Sequence, residues 1–282
     1  MTQPIESLVV GARELGRGHY EHRIEPSSGG EVKQLAAAFE QMRQSIKRGQ
    51  ADLLKSERLA TVGQMAGSII HDLRGPLASI LTAAELFSRA ELSPEQRQVL
   101  SQSQLRASTR MGAMLREILE FSRGDYSLNL ERRELAGLLD SVVRESITSD
   151  ASPGVAVETH IPPELFVQVD YERMRRLFEN LFVNSIHAMP QGGKITLRAA
   201  EAGEKVRITI ADTGCGIPTE LRDRLFEPFV SQGKEGGTGL GLAIASSIAR
   251  AHGGSLTLIS EEGQAADFCV ELPLDIEVAH GR

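Results

Sequence analysis

A histidine followed directly by an aspartate lies within a long apolar repeat. Apolar residues recur every three or four positions over residues 59–87, which predicts a helix with one packed seam. His71 is two positions from both Ile69 and Leu73 of that seam, so at about 100° per residue its side chain is predicted to face solvent. A neutral imidazole has a nucleophilic nitrogen, and the carboxylate of Asp72 can orient the ring or accept its proton. The pair is a candidate nucleophile and base, although a single exposed histidine is more often an ordinary surface residue.

Two asparagines and an aspartate in the second half of the chain have the chemistry of a nucleotide site. Asn180 and Asn184 share the polar face of a helix predicted to begin near Asp170, so their amide oxygens converge and can hold Mg²⁺. Asp212 follows a predicted strand over residues 206–211, and a carboxylate there can accept a hydrogen bond from the exocyclic amine of adenine. If that helix stood alone, solvated asparagines would be the ordinary interpretation.

A glycine-rich segment, GKEGGTGLGLAIA, covers residues 233–245 and leads into an apolar helix. Its backbone N–H groups and the start of the helix could bind phosphate. No strand directly precedes the segment, as a dinucleotide fingerprint requires, and no Gly-Lys-Ser/Thr follows, as a P-loop requires. Flexible loops have a similar composition, so the segment alone does not identify a phosphate site.

Length and composition limit the possible classes. At roughly 150 residues per domain, 282 residues predict two domains, or three if some are small. The 31 basic and 38 acidic residues give a net charge of −7, and there is no basic tract, so no nucleic-acid partner is expected. No uncharged run reaches the roughly 18 apolar residues of a membrane-spanning helix, so no membrane span is expected in this chain. Two cysteines and no secretory signal favour a reducing, cytoplasmic environment.

Three stretches of the chain have different patterns. Residues 1–50 predict two helices with narrow apolar stripes joined by an extended connector, and such helices need to self-associate. Residues 51–123 predict a helical hairpin whose second helix is capped by Ser93, with Pro94 at its first position. Its apolar face is wider than one seam, which favours dimerisation into a four-helix bundle. Residues 130–275 alternate helices with strands and predict a separate domain containing both.

The motifs resemble those of two-component sensor histidine kinases. SIIHDLRGPLASI resembles their phosphoacceptor box, which implies that His71 is phosphorylated and that Asp72 assists as the base. ENLFVNSIHAM, DTGCGIP, LFEPF and GGTGLGLAIA resemble, in order and spacing, the N, G1, F and G2 boxes of the ATP-binding domain. This resemblance implies that Asn184 is the principal Mg²⁺ ligand with Asn180 beside it, and that Asp212 recognises adenine.

The resemblance also assigns the glycines of the nucleotide pocket. Gly214 and Gly216 would shape the purine site, and the phosphates would be held by a loop containing Gly237, Thr238, Gly239, Leu240 and Gly241. Residues 226–238 would form a lid over ATP, anchored by Phe226 and Phe229, with Lys234 reaching the phosphates. His187 is a weaker candidate for a phosphate contact, and Cys215 is expected to fill space rather than act as a redox switch.

Residues 1–50 resemble a HAMP signal-relay module, with Pro4 opening the first helix, Gly18 before the connector and Glu31 at the start of the second helix. A generic coiled coil is the alternative. A membrane span normally precedes this module in the family. The resemblance therefore implies that this chain is the cytoplasmic part of a protein anchored in the bacterial inner membrane.

The expected architecture is multidomain: a dimeric coiled coil and four-helix bundle, followed by an α/β sandwich of the GHKL ATPase type. The implied activity is an ATP-dependent protein-histidine kinase that works as a homodimer and passes the phosphoryl group to an aspartate in the receiver domain of a response regulator. Many relatives carry Asn or Thr at the position of Gly75, so weak phosphatase activity is expected. The alternatives are a GHKL-type ATPase that uses water as acceptor, and a non-catalytic relay that only binds nucleotide.

Overall fold

The computed structural model describes residues 3–16, 30–89, 91–123, 128–147, 154–230 and 238–274. The chain divides into two units, one formed mainly by residues 1–61 and one by residues 62–277. In order along the chain, the helices of the first half are α1 (Gln3–Gly16), α2 (Gly30–Gln64), α3 (Ala66–Arg89) and α4 (Pro94–Arg123).

In the first unit, α1 packs against the beginning of α2. Leu8 and Ala36 are buried, and Val32 and Phe39 pack against them. Leu35, which follows Val32 by three positions and would belong to the narrow apolar stripe predicted for this helix, is instead 61% exposed. One chain therefore buries only part of the predicted stripe.

The helix predicted over residues 59–87 is interrupted. Helix α2 runs to Gln64, Met65 forms a turn, and α3 begins at Ala66. Gly63 and Gly67 flank this turn, and glycine is a poor helix former because it loses the most backbone freedom on folding. The proposed domain boundary at residue 50 falls inside α2.

Helices α3 and α4 form the predicted hairpin. The start of α4 is capped reciprocally, because the Ser93 hydroxyl accepts from the Gln96 backbone N–H at 3.3 Å and the Gln96 side chain accepts from the Ser93 N–H at 2.9 Å. The predicted cap is thus confirmed. Helix α3 continues through Pro76, and Ala83 packs inside the hairpin.

One apolar face of the hairpin is exposed in the single chain. Its large side chains are more than two-fifths exposed and come from both helices: Ile70, Leu77, Leu81, Leu105, Leu115 and Leu119. Exposed apolar surface of this extent is typical of an interaction site.

The second half of the chain is an α/β domain built on a five-stranded sheet with strand order β2-β4-β5-β7-β6. Strands β2 and β4 are parallel and the other pairs are antiparallel. A separate antiparallel pair joins β1 to β3. The strands are β1 (Glu131–Glu134), β2 (Val155–His160), β3 (Phe166–Val169), β4 (Gly193–Ala202), β5 (Lys205–Asp212), β6 (Ser255–Leu258) and β7 (Asp267–Pro273), and the helices are α5 (Leu135–Ile147), α6 (Tyr171–His187), α7 (Thr219–Arg222) and α8 (Gly241–Ala251).

Helices α5, α6 and α8 share one core with the inward-facing residues of the sheet, which confirms the predicted sandwich. Phe178 and Phe182 of α6 and Phe268 of β7 all belong to that core. In β5, Ile208 is fully buried while the adjacent Arg207 is exposed, as period-two alternation requires. Across the described ranges, no helix is both long and apolar enough to cross a bilayer.

Candidate functional site

The candidate acceptor histidine lies on the exposed face of α3. The His71 side chain is 81% exposed, so the predicted orientation away from the hairpin core is confirmed. Its Nδ1 atom lies 3.3 Å from Oδ1 of Asp72. One turn later, a Cβ atom added to Gly75 would meet nothing within 4 Å. The expectation of weak phosphatase activity stays a prediction.

A small cleft connects the acceptor helix with the α/β domain. Asp72 and Leu73 of α3 and Ile118 of α4 line one side of it, and Phe229 and Thr238 line the other. Thr238 is the first described residue of the glycine-rich loop. The hairpin and the predicted phosphate loop of one chain therefore meet at Asp72, the residue that follows His71.

A second and larger cavity, of about 180 Å³, lies inside the α/β domain. Its wall combines the polar face of α6, the end of β5 with the loop that follows it, and the glycine-rich loop. The predicted residues that line it are Asn180, Asn184, His187, Asp212, Cys215, Gly216, Thr238, Gly239 and Gly241.

Helix α6 presents Asn180 and Asn184 to the cavity because its N-terminus is capped and its opposite face is buried in the core. Asp170 caps the helix by accepting from the Arg173 backbone N–H at 3.1 Å, and Leu177 on the opposite face is fully buried. The Nδ2 atom of Asn180 is buried without a hydrogen-bond partner. Because an amide group can turn either its nitrogen or its oxygen toward that place, the side chain offers a donor or an acceptor to a ligand.

Asp212 is a nearly buried carboxylate, only 5% exposed, at the end of β5. Its Oδ1 atom accepts from the Gly214 backbone N–H at 2.9 Å. Gly214 does not line the cavity itself, but a Cβ atom there would come within 2.6 Å of the Cβ atom of Ala188. Gly216 has a φ of 71°, and its Cβ atom would lie 2.1 Å from the Gln264 backbone oxygen. Both positions therefore require glycine, and together they fix the carboxylate at the cavity wall.

The glycine-rich loop is held by backbone contacts where the structure describes it. Gly239 has a φ of 70° and lies against Phe229, whose backbone N–H donates to the Gly239 oxygen at 3.0 Å. The Leu240 side chain is fully buried in the core, so only its backbone can take part in binding. Phe226 also packs against this core. Gly237 and Lys234 lie outside the described residues.

Among the described cavity residues, the structure adds one charged side chain that sequence motifs did not indicate. Glu117 projects from α4 of the hairpin, lines the cavity and accepts a hydrogen bond from the Thr238 hydroxyl. Burial raises the pKa of this carboxyl, and the Thr238 bond opposes that effect. No local pattern marks Glu117, because its role comes from the packing of the hairpin against the α/β domain.

Three protein families match successive parts of the chain. Residues 1–48 match the HAMP domain, residues 61–127 match the His Kinase A (phospho-acceptor) domain, and residues 169–276 match the histidine kinase-, DNA gyrase B- and HSP90-like ATPase.

Full-length relatives contain these parts within longer chains. The sensor histidine kinase ZraS of Escherichia coli K12 is 30% identical over 231 residues, which is 80% of this chain and 49% of ZraS. The alginate biosynthesis sensor protein KinB of Pseudomonas aeruginosa is 33% identical over 211 residues, which is 72% of this chain and 36% of KinB. The chain thus spans half or less of the length of these relatives.

Solved structures have the same architecture. The histidine kinase ThkA in complex with the response regulator protein TrrA superposes with a TM-score of 0.64 at 26% identity, covering 81% of this chain and 66% of ThkA. Full-length ShkA in complex with AMPPNP superposes with a TM-score of 0.56 at 29% identity, covering 77% of this chain and 47% of ShkA. With phosphoacceptor and ATPase domains in this order and relatives of this kind, the chain belongs to the two-component sensor histidine kinases.

Proposed function

We propose that this chain transfers the γ-phosphoryl group of ATP to His71. The observation that carries the proposal is the cleft shared by Asp72 and Thr238, because it brings the acceptor helix next to the predicted phosphate loop. Phosphoryl transfer depends mainly on positioning and on electrostatic stabilisation, so such a juxtaposition is the principal requirement.

The cavity supports ATP as the donor. Asp212 is a buried acceptor for the adenine amine, and Gly216 leaves room for the base. Thr238, Gly239 and Gly241 would bind the phosphates, together with Gly237 and the weaker candidate Lys234. ShkA, which shares this architecture, was solved with the ATP analogue AMPPNP.

Mg²⁺ would be held by Asn184 and Asn180. The amide oxygens would be the ligands, and the amide nitrogen of Asn180, which is buried without a partner in the protein, would donate to a phosphate oxygen. Among the residues that the structure describes, no three His, Cys, Asp or Glu side chains form a metal cluster. The amides would therefore share the ion with phosphate oxygens, and the bound ion would neutralise charge on the triphosphate.

His71 is oriented for attack by its neighbour. When Nδ1 carries the proton and donates it toward Asp72, the lone pair is on Nε2, which is then the nucleophile. A bond forms between Nε2 and the γ-phosphorus, the bond from that phosphorus to the bridging oxygen breaks, and ADP leaves. Asp72 stabilises or accepts the Nδ1 proton as positive charge develops on the ring.

We propose that the phosphoryl group then passes to an aspartate in the receiver domain of a response regulator. ThkA was solved in complex with such a regulator, which supports this partner class. The exposed apolar face of the hairpin supports a homodimer. Residues 1–50, 51–123 and 130–275 would serve as relay, acceptor and catalytic domains, and a membrane anchor of the complete protein would lie outside this chain.

The test is incubation with γ-labelled ATP. The wild-type chain should gain acid-labile label and the His71→Gln variant should gain none. His160→Gln is the matched control, since His160 is also exposed but lies on β2, and this variant should label normally. Steady phosphate release that does not change in His71→Gln would indicate a GHKL-type ATPase. Absence of label and of phosphate release would indicate a non-catalytic relay.

A further inference from the structure

The hydroxyl of Thr238 already makes one donor bond and one acceptor bond within the protein. It donates to the carboxylate of Glu117 and accepts from the Leu240 backbone N–H at 3.2 Å. A hydroxyl has one proton to donate. Thr238 therefore cannot donate to a phosphate oxygen while Glu117 holds it.

Two further contacts keep α4 in this position. Arg176 of α6 forms an ion pair with Glu120, with Nε and Oε2 2.5 Å apart. The rings of Phe121 and Phe229 meet edge to face, with centroids 6.1 Å apart. Both contacts join α4 to the ATPase domain within one or two turns of Glu117, so they bring its carboxylate to the cavity.

The carboxylate and a triphosphate would be like charges in one cavity. Glu117 shares the wall with Asn180 and Asn184, and none of the described lining residues is Lys or Arg. Burial already raises the pKa of Glu117, which indicates that its charged form is poorly solvated there. A second anion nearby adds Coulomb repulsion that water screens only weakly.

We propose that Glu117 is a latch that competes with the triphosphate for Thr238, so that nucleotide binding and attachment of the hairpin to the ATPase domain through Glu117 oppose each other. The inference rests on the proposed function of the cavity as an ATP site. The coupling is reciprocal, because the free energy by which the closed latch weakens nucleotide binding equals the free energy by which bound nucleotide weakens the latch. The latch should lower the affinity for the phosphates and not for the nucleoside, because Glu117 contacts Thr238 of the predicted phosphate loop and not Asp212, which is proposed to bind adenine.

The experiment measures the affinity of the whole chain for Mg-AMPPNP and for adenosine by calorimetry. Glu117→Gln keeps an acceptor for Thr238 but removes the charge, and it should bind Mg-AMPPNP roughly five- to tenfold more tightly than wild type with unchanged adenosine affinity. Glu117→Ala removes the acceptor as well and should bind Mg-AMPPNP at least as tightly as Glu117→Gln. Glu85→Gln, a matched change at an exposed carboxylate of α3, should leave both affinities unchanged.

The outcomes separate the latch from the function on which it rests. If wild type binds neither compound, the cavity is not an ATP site, and the latch proposal is overturned together with that function. If wild type binds Mg-AMPPNP and both Glu117 variants bind it equally well, the latch is overturned and the ATP site stands. Weaker Mg-AMPPNP binding in the variants also overturns the latch, because Glu117 would then assist the nucleotide or its ion.

Discussion

The ATPase domain buries most of its large apolar side chains, whereas the hairpin leaves several of its own exposed. In the ATPase domain, Phe178, Phe182 and Phe268 are at most 1% exposed. In the hairpin, Leu105 and Leu119 are more than half exposed. The first region therefore completes its core within one chain, while the second presents a face that needs a further surface. A densely packed core keeps the walls of a binding cavity in place. An acceptor histidine that other domains have to reach requires an exposed helix surface.

The largest effect is expected from a glycine of the ATPase domain, and a glycine of the hairpin serves as the comparison. Gly216→Ala should destabilise the ATPase domain by at least about 2 kcal/mol and abolish nucleotide binding, because its φ is 71° and the added Cβ atom would strike the Gln264 oxygen. Gly75→Ala should instead stabilise the hairpin by up to about 1 kcal/mol, since its Cβ atom meets nothing within 4 Å in the middle of a helix. Thermal unfolding and AMPPNP titration measure both. Equal effects of the two substitutions would contradict the contrast.

A second, intermediate effect should appear at the apolar face of the hairpin. Leu105→Ser should weaken dimerisation by about 1.5–3 kcal/mol, the value of one buried leucine side chain. Sedimentation velocity over a range of concentrations measures the change. Ile259→Ser is the control, because Ile259 is 52% exposed but follows β6 in the ATPase domain. If Ile259→Ser loses the dimer and Leu105→Ser keeps it, the dimer interface lies in the ATPase domain and not in the hairpin.

The smallest effect concerns a buried histidine of the ATPase domain. His252 is 1% exposed, its Nδ1 lies 2.8 Å from the Ile248 oxygen, and its Nε2 accepts from the Asp170 backbone N–H at 3.1 Å. Burial lowers the pKa of His252, and a proton on Nε2 would face another N–H group. Below the ordinary histidine pKa of about 6.5, the unfolded chain therefore binds a proton that the folded chain resists, so stability falls as the pH falls.

Thermal unfolding between about pH 7.5 and pH 5.5 tests this dependence. His252→Gln should be less stable than wild type at the upper pH but should lose less stability toward the lower pH. If the variant and the wild type lose stability in parallel, His252 is not the group responsible.

Local patterns predicted most of the site because its residues lie on regular elements. His71 is two positions from a helical seam, the asparagines are one turn apart on the polar face of α6, and Asp212 ends a strand with period-two alternation. Each of these follows from backbone geometry alone. The chemical roles depended on resemblance to a family, since a lone exposed histidine or a glycine-rich segment is not specific.

Sequence patterns missed several features of the structure, most of which depend on contacts with distant parts of the chain. Strand β1 has the sequence ERRE with every residue exposed, so it shows no alternation, and it forms through its pairing with β3. The turn at Met65 interrupts an apolar rhythm that continues on both sides. Glu117 reaches the cavity only because the hairpin packs against the ATPase domain, which is a contact between residues 121 positions apart in sequence.

Asp170 joins three segments of the chain. Its side chain caps α6 and accepts from the Asn129 backbone N–H at 3.0 Å, and its own N–H donates to His252 at the end of α8. The strand that follows the hairpin, the helix with the two asparagines and the helix that begins at the glycine-rich loop are therefore joined at one residue, through its carboxylate and its backbone N–H group. A displacement of the segment that enters β1 would therefore act on the N-terminus of α6 and on the C-terminus of α8.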